Sequence, residues 1–383
     1  MPGRAIVLNA TNRQSLVAIR SLGRRGISVT AGGYCRGAAA HLSKYDDRQI
    51  TYPTPWERPE AFVDTLVEEV RTIDYDALLI SGETSIEAVV SNRERLADHV
   101  GLPYPPSETL QVALDKGQTI EAAEMTGIPH PETLRMDDAN ADAVEATLSY
   151  PVVVKPRKSH GRNGVGICHS VTELREALNH VQQTYGSALV QEYIPNGGEV
   201  GVYTMYDLDS TCRAVTVQER VRSFPPEGGA STCRHTVADP ELIGYADDLL
   251  SSLDWQGVAM VEFRTDPRDG TPKLMEINPR LWGSLALSVA AGVDFPYLLY
   301  QLGANGECDN VPSYFAGVYA RRLVGELAHV LSRQDRISAV QEVFQPTGGP
   351  CEFDILSLDD PLPIIGHLME SGRGLRNKLS DVR

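Results

Sequence analysis

Apolar residues near the amino terminus follow the spacings of alternating strands and helices. Residues 5–10, AIVLNA, form a short apolar run, and Leu16, Ile19 and Leu22 then recur at the spacing of one helix face. A second apolar run follows at 27–33, and the alternation of helix and strand continues over residues 58–95. The pattern predicts a small α/β domain over residues 1–100 that opens with a strand-helix-strand unit.

The first turn of this unit lacks the fingerprint of a nicotinamide-binding domain. Its sequence, NATNRQS, contains no GxGxxG, and no acidic residue ends the second strand to hold a ribose. A Rossmann dehydrogenase is therefore a minor alternative. Asn9, Thr11 and Glu83 fall at the carboxyl ends of predicted strands, where such residues either face a ligand or cap a turn.

A β-hairpin is predicted over residues 257–280, GVAMVEFRTDPRDGTPKLMEINPR. Two largely apolar strands, 257–264 and 272–278, flank the turn residues 266–270. If the hairpin folds symmetrically about Arg268 and Asp269, Glu262 lies opposite Glu276, and Asn278 points to the same face as Glu276.

Two facing carboxylates on buried strands need a neutralising partner. Cross-strand Cβ atoms lie roughly 5 Å apart, and like charges in that arrangement are destabilising. Mg²⁺ would remove the repulsion, because it binds carboxylate and amide oxygens, and Mn²⁺ is an alternative. The competing interpretation is an exposed hairpin with solvated acids, which the apolar neighbours of the two glutamates disfavour.

Two further segments carry residue types that bind phosphate. Residues 150–170, YPVVVKPRKSHGRNGVGICHS, place a glycine-rich loop between two strands, and Lys116 lies at the start of a predicted helix. Glycines let backbone N–H groups close around phosphate, and basic side chains and helix N-termini neutralise it. The loop is not a Walker A motif, because no GK[ST] follows the glycines. A plain turn and a surface lysine are the alternatives to an ATP site. The predicted phosphate ligands are Lys116, Lys155, Ser159, Gly161 and Gly164.

Residues 187–207, SALVQEYIPNGGEVGVYTMYD, predict a strand, a polar bend and a second strand. Backbone groups from Glu192 to Ile194 are suited to contact an adenine edge, and Glu199 is suited to accept hydrogen bonds from ribose hydroxyls. The alternative is that both glutamates are solvated residues at strand ends.

Composition and charge exclude several classes of function. The 383 residues, 42% of them hydrophobic, are enough for two or three domains. The formal net charge of -16 opposes polynucleotide binding, and six cysteines without a CxxC pair argue against a zinc site or a disulfide framework. No apolar run approaches the ~20 residues of a membrane span, and the chain begins directly with a strand. We therefore expect a cytoplasmic protein without membrane or nucleic-acid partners.

The ordered set of Lys116, VVVKP with its glycine-rich loop, QEYIPNGGE, VEF and MEINPR resembles the ATP-grasp superfamily. Within it, the sequence is similar to the carboxylate-amine ligase and carbamoyl-phosphate-synthase-like group. The resemblance covers about residues 100–305, and the leading domain matches the one that precedes the ATP-grasp fold. It implies an α/β and α+β protein with a Rossmann-like pre-ATP-grasp domain at 1–100. A two-subdomain ATP-grasp fold at 101–305 would follow, with a nucleotide-gripping subdomain at about 118–190, and then a C-terminal α/β extension at 306–383.

The resemblance also implies roles for single residues. Lys116 and Lys155 would hold the phosphates of ATP, and Glu192, Ile194 and Glu199 would hold its adenine and ribose. Glu262, Glu276 and Asn278 would bind Mg²⁺. Arg280 would steady an acyl phosphate and the oxyanion of the tetrahedral intermediate.

The implied reaction is an ADP-forming ligation, in which a carboxylate is activated as an acyl phosphate and an amine displaces the phosphate. Arg222 and Arg280 are predicted to bind the substrate carboxylate or the intermediate, because guanidinium groups suit carboxylates. Arg220 and Arg234 are equally well explained as surface residues.

Two rival functions are bicarbonate or carbamate activation and ATP-binding regulation without turnover. The expected partners are small-molecule carboxylates and amines. The C-terminal extension either caps the active site or mediates oligomerisation, for which a homodimer is one option.

Overall fold

The computed structural model describes residues 3–35, 37–136, 141–159, 163–225, 229–345 and 347–369. The strands in these ranges are β1 Arg4–Val7, β2 Ser28–Gly33, β3 Arg48–Thr51, β4 Ala77–Leu79, β5 Thr133–Met136, β6 Val152–Pro156, β7 Gly166–Cys168, β8 Ala188–Glu192, β9 Glu199–Tyr206, β10 Cys212–Phe224, β11 Ala230–Thr236, β12 Gly257–Thr265, β13 Pro272–Asn278, β14 Tyr319–Arg321 and β15 Cys351–Phe353.

The helices are α1 Arg13–Arg24, α2 Pro59–Thr72, α3 Glu83–Ser91, α4 Ser107–Leu114, α5 Lys116–Thr126, α6 Ala141–Thr147, α7 Val171–Tyr185, α8 Pro240–Ser252, α9 Leu285–Ala290, α10 Phe295–Asn305, α11 Leu323–Ser332 and α12 Arg336–Phe344. Short 3₁₀ turns occupy Ala39–Leu42 and Arg93–Arg95. None of the helices in the described ranges combines the length and apolar content needed to cross a bilayer.

The first sheet is parallel, with strand order β3-β2-β1-β4. Alternate residues of β1 enter different cores: Ala5 and Val7 belong to one hydrophobic cluster, and Ile6 belongs to the other. Both faces of the sheet are therefore covered, as expected for parallel strands linked by helices. The predicted α/β opening is confirmed, whereas β3 was not predicted, because its sequence, RQIT, buries only Ile50.

The second sheet is small and holds the glycine-rich loop. Its strand order is β5-β8-β6-β7, and its pairs are antiparallel. Helix α7 covers one face through Leu174, Leu178 and Val181, which are buried with residues of β6 and β8. Lys155 lies on β6, so a packed sheet fixes its backbone. The predicted strands on either side of the loop are confirmed.

The third sheet contains seven strands in the order β13-β12-β9-β10-β11-β14-β15. The predicted carboxylate hairpin forms one edge, and strands from beyond residue 305 form the other. The fold matches the predicted class, and the domain boundaries at residues 100 and 305 stay predictions. Because β14 pairs with β11 and with β15, the C-terminal extension continues the large sheet.

A bulge in the β12-β13 hairpin sets the position of the carboxylates. Near the turn, Phe263 pairs with Leu274, but the register then shifts so that Glu262 pairs with Glu276. Met275 is the extra residue, because a bulge places two residues of one strand opposite one residue of its partner. Without it Glu262 would face Met275. The predicted pair is therefore observed, but the register argument behind it was wrong by one residue, because symmetry about Arg268 and Asp269 would place Met275 opposite Glu262.

A second bulge, at Val221 of β10, redirects the following side chain. Arg220 pairs with Arg234 of β11, and Arg222 pairs with the next residue, Cys233. Neighbouring residues of a strand point to opposite faces, so Arg220 and Arg222 also point to opposite faces, although they are two residues apart.

Candidate functional site

A cavity of about 510 Å³ lies between the small sheet and the large sheet. Residues of both sheets line it, together with Arg13 of α1. The predicted site residues among its lining are Lys116, Lys155, Glu192, Ile194, Glu199, Glu262, Glu276, Asn278 and Arg280. The fold therefore brings together groups from all three predicted parts of an ATP site.

The two carboxylates of the hairpin face each other at the cavity wall. Burial, together with the negative charge of Glu276, raises the pKa of Glu262 well above its usual range. Arg220 offsets this only in part, with its Nη2 3.7 Å from Glu262 Oε1. Asn278 Nδ2 donates to Glu276 Oε1 at 3.0 Å, so the amide lies beside the carboxylate pair.

The donor set of this pair fits a hard divalent cation. Two carboxylates and one amide supply oxygen atoms, which are the ligands that Mg²⁺ prefers. Burial and the charge of Glu276 raise the pKa of Glu262, and a bound cation would act in the opposite direction. Within the described residues there is no cluster of three or more His, Cys, Asp or Glu that could hold a metal, and the third member of the predicted set is the Asn278 amide.

Arg280 follows the hairpin and is held in place by the first domain. Its Nη2 lies 2.9 Å from Glu83 Oε1, at the start of α3, and its Nε donates to the same oxygen at 3.0 Å. It also donates from Nη2 to Asn278 Oδ1 at 3.3 Å. The sequence left two roles open for Glu83, contact with a ligand and capping of a turn. In the structure, Glu83 positions an arginine beside the carboxylate pair.

Two buried lysines face the cavity. Lys116 begins α5, and its Nζ donates to the Ser159 carbonyl oxygen at 2.9 Å. Lys155 is 6% exposed, and burial together with the nearby charge of Lys116 lowers its pKa to about 8. Two neighbouring ammonium groups in a desolvated wall are suited to anionic oxygens, such as those of a polyphosphate.

Of the other predicted phosphate ligands of the glycine-rich loop, those that the structure describes are not found in the cavity lining. Ser159 contacts Lys116 but is not part of the cavity lining. Gly164 has a φ of +76° and packs against Pro156, so it shapes the loop and does not line the cavity. Gly161 lies outside the described residues, so its predicted role stays a prediction.

The glutamates assigned to adenine and ribose are already engaged by cations. Glu192 accepts hydrogen bonds from Arg268 at 2.5 Å and from Lys273 at 2.9 Å. Burial alone would raise the pKa of Glu192, but these two partners hold it below its usual range. Glu199 pairs with Arg264 and Arg220 in the same way. Both side chains line the cavity with their charge neutralised, which leaves their spare oxygen lone pairs for neutral hydroxyl or amino donors.

Arg222 is not brought to the cavity. The bulge at Val221 turns it to the opposite face of the sheet, where its Nη2 pairs with Glu326 of α11 at 2.6 Å. The predicted contact between Arg222 and a substrate carboxylate is corrected on this basis. Arg220, which was equally well explained as a surface residue, lines the cavity in its place.

The structure also adds residues that the sequence did not identify. Arg13, Tyr203 and Gln218 line the cavity. Arg13 lies in the NATNRQS turn, at the strand end where α/β folds bind ligands, and this was the available signal. Arg234, for which substrate contact and a surface position were both left open, also lines the cavity and is 2% exposed.

Comparison with known proteins identifies the family. Residues 184–326 match the family model described as ATP-grasp in the biosynthetic pathway with Ter operon, and residues 114–224 match the D-ala D-ala ligase C-terminus. The D-alanine–D-alanine ligase of Gloeobacter violaceus is 30% identical over 231 residues, which are 54% of this chain and 74% of that protein. The carbamoyl phosphate synthase large chain of Thermotoga maritima is 24% identical over 98% of this chain. The chain spans only 34% of the length of that large chain.

Solved structures show the same fold at lower identity. The L-amino acid ligase from Bacillus licheniformis has a TM-score of 0.62 at 20% identity, over 80% of this chain and 74% of that one. The biotin carboxylase domain of 2-oxoglutarate carboxylase from Hydrogenobacter thermophilus, in complex with MgADP, ADP and bicarbonate, has a TM-score of 0.67 at 16% identity. That similarity covers 83% of this chain and 73% of that domain. On the matched family models, the ligase relative and the predicted motifs that the fold assembles, the chain belongs to the ATP-grasp superfamily.

Proposed function

We propose that this protein is an ATP-dependent, ADP-forming ligase that joins a carboxylate to an amine with the aid of Mg²⁺ or Mn²⁺. The observation that carries the proposal is the convergence of Glu262, Glu276, Asn278 and Arg280 with two buried lysines on one cavity. A site that only bound ATP would not require an arginine fixed beside the carboxylate pair. The ligase relatives support this reaction class.

The chain's own groups are arranged for phosphoryl transfer by positioning and charge. Lys116 and Lys155 would bind the phosphate oxygens of ATP, and their rigid settings on α5 and β6 would hold the phosphates in one orientation. Mg²⁺, when bound by Glu262, Glu276 and Asn278, supplies further neutralisation of phosphate charge. Arg280 would bind the substrate carboxylate and stabilise the oxyanion that forms when the amine attacks the acyl carbon.

The chemistry then balances without a protein nucleophile. The substrate carboxylate attacks the γ-phosphorus, which forms an acyl phosphate and releases ADP. The amine attacks the acyl carbon, the C–O bond to phosphate breaks, and the nitrogen loses one proton. A volume of about 510 Å³ agrees with small-molecule substrates.

Bicarbonate activation is the second candidate. It is supported by similarity to carbamoyl phosphate synthase over nearly the whole chain. Because the same groups would serve either acid, the two functions differ in their co-substrates. Bicarbonate activation predicts ADP release with bicarbonate and ATP alone, whereas a ligase predicts release that requires an organic acid and an amine together.

The test measures ADP and phosphate release with Mg²⁺ and pools of carboxylic acids and amines. Glu276→Gln keeps the oxygen that accepts from Asn278 but removes one charge, and we expect at least a hundredfold loss of turnover. Glu176→Gln, on an exposed position of α7, is the matched control and should retain full turnover. Equal turnover in the two variants, or ATP binding without ADP release for any pool, would contradict the ligase proposal.

We extend the proposal to a homodimer, because the biotin carboxylase domain from Hydrogenobacter thermophilus is described as a dimer. Light scattering should then give twice the chain mass of 41.8 kDa. A single-chain mass at micromolar concentration would exclude the dimer and leave the ligase proposal intact.

A further inference from the structure

The cavity extends along the large sheet beyond the carboxylate pair. Backbone register places Arg264, Glu199, Arg220 and Arg234 side by side on β12, β9, β10 and β11, and all four side chains line the cavity. Adjacent strands lie about 4.8 Å apart, so Arg234 is about 14 Å from the β12 end of this row. The space therefore continues past the carboxylate pair and the two lysines.

Arg234, at the far end of this row, has donors without acceptors. The side chain is 2% exposed and pairs with Asp354, which directly follows β15, through Nη2. Its Nε and Nη1 atoms have no hydrogen-bond partner among the described residues. Buried guanidinium donors without acceptors are unfavourable, so these two atoms provide a ready-made site for an anion.

Arg13 adds a second guanidinium to the same place. Its Nε donates to the Gly283 carbonyl oxygen at 2.6 Å, and the same atom lies 3.9 Å from Asp354 Oδ2. Burial lowers the pKa of Arg13 to about 10, opposed by Asp354, and the charges of Arg234 and Arg322 lower it further. Arg13, Arg234 and Arg322 all interact with Asp354, and Arg322 also interacts with Glu326, so positive charge exceeds negative charge around Asp354.

We propose that Arg13 and Arg234 form a subsite for a second anionic group of the substrate, a carboxylate or phosphate that does not react. This proposal rests on the proposed ligase function only because it identifies the bound anion as part of a substrate. The phosphates of ATP are an unsuitable occupant, because Lys116 and Lys155 lie against the small sheet and the hairpin, at the other end of the row. One substrate therefore presents two acidic groups, or one acidic group remote from its reacting amine.

The test uses direct binding without ATP turnover. Isothermal titration calorimetry with glutarate, inorganic phosphate and butyrate compares the wild-type chain with Arg13→Gln, Asp354→Asn and the control Arg175→Gln. Arg175 lies on α7 with 65% of its side chain exposed. Removal of one charge-assisted contact should weaken glutarate or phosphate binding by about 10- to 100-fold in Arg13→Gln.

Asp354→Asn is expected to raise the affinity for the anion, whereas Arg13→Gln lowers it. Asp354 competes with the ligand for Arg234 and Arg13, so Asp354→Asn should tighten anion binding several-fold, whereas a merely structural role for Asp354 predicts weaker binding or none. A preference for glutarate indicates a carboxylate ligand, and a preference for phosphate indicates a phosphorylated one. Butyrate, with one charge, should bind most weakly.

Three results would overturn the subsite: neither dianion binds the wild-type chain at millimolar concentration, Arg13→Gln binds as tightly as Arg175→Gln, or Asp354→Asn fails to bind more tightly. Failure of the ligase proposal gives a different pattern. In that case no pool of acids and amines yields ADP, while anion binding still depends on Arg13.

Discussion

The charge of Lys155 changes within the ordinary range of pH. Its pKa is lowered to about 8 because the side chain is buried and lies near Lys116, so the ammonium is present below pH 8 and lost above it. Since phosphate oxygens need that charge, we expect the affinity for ATP to fall on the order of tenfold between pH 7 and pH 9.5. Calorimetric titration with ATP in buffers of different ionisation enthalpy should also show proton uptake near pH 8.

Lys155→Arg is the control for this pH dependence. A guanidinium keeps its proton throughout the range, so the variant should show a flat profile even if its affinity is lower. The same fall of affinity with pH in both proteins would show that another group titrates and would reject the assignment to Lys155.

At the scale of single elements, the start of α5 contributes both to the stability of the fold and to the proposed nucleotide site. Asp115 caps this helix, since its Oδ1 accepts from Gly117 N at 2.9 Å, and it also accepts from Arg157 Nε at 3.0 Å. Asp115→Ala should lower the free energy of unfolding by about 1–2 kcal/mol and weaken ATP binding, because Lys116 is the next residue. Urea denaturation and ATP titration measure the two effects.

Asp115→Asn distinguishes the effect of the capping hydrogen bonds from the effect of the negative charge. The amide keeps an oxygen acceptor for the helix N–H groups but loses the ion pair with Arg157. We expect it to keep most of the stability and the ATP affinity of the wild-type chain. Equal losses in the Ala and Asn variants would show that the ion pair, and not the cap, fixes this end of the helix.

The two bulges are features of the large sheet that the sequence pattern did not predict. The apolar alternation and the turn residues were sufficient to predict the β12-β13 hairpin, and the motif order was sufficient for the superfamily. The bulges at Met275 and Val221 each change which side chain faces the cavity, yet no apolar pattern or turn residue marks either position. The observed pairing of Glu262 with Glu276 depends on the bulge at Met275, and the bulge at Val221 turns Arg222 away from the cavity.

At the scale of the whole molecule, distant parts of the chain meet at the cavity. Arg13 and Glu83 come from the first domain, and Asp354 follows a strand that extends the large sheet from the C-terminal side. Asp354 is 120 positions from Arg234 in the sequence, and the surrounding CEFDILSL carries no recognisable motif. Such long-range contacts are set by tertiary packing, so local patterns could predict neither the pairing of β14 with β15 nor the environment of Arg234.

A buried ion pair connects the C-terminal segment, residues 355–369, to helix α1. Arg20 of α1 bonds the carboxylate of Asp360 at 2.8 Å and the carbonyl oxygens of Ile355 and Asp360 at 2.8 and 2.7 Å. Arg20 is 5% exposed and Asp360 1%, so removing the guanidinium leaves a buried carboxylate without its ion-pair partner, with Ser43 and the Lys44 N–H as remaining donors. Arg20→Met keeps the aliphatic stem, and we expect it to cost about 3 kcal/mol of unfolding free energy.

One turn further along α1, Arg24 provides the matched comparison. It bonds Asp359 at 2.8 Å, but both side chains are about 40% exposed, so Arg24→Met should cost less than about 1 kcal/mol. Urea denaturation gives both values, and limited proteolysis should cleave residues 355–369 faster in Arg20→Met only. If the two variants lost equal stability and resisted protease equally, the buried pair would not be what holds the C-terminal segment, with its Asp354, against the cavity.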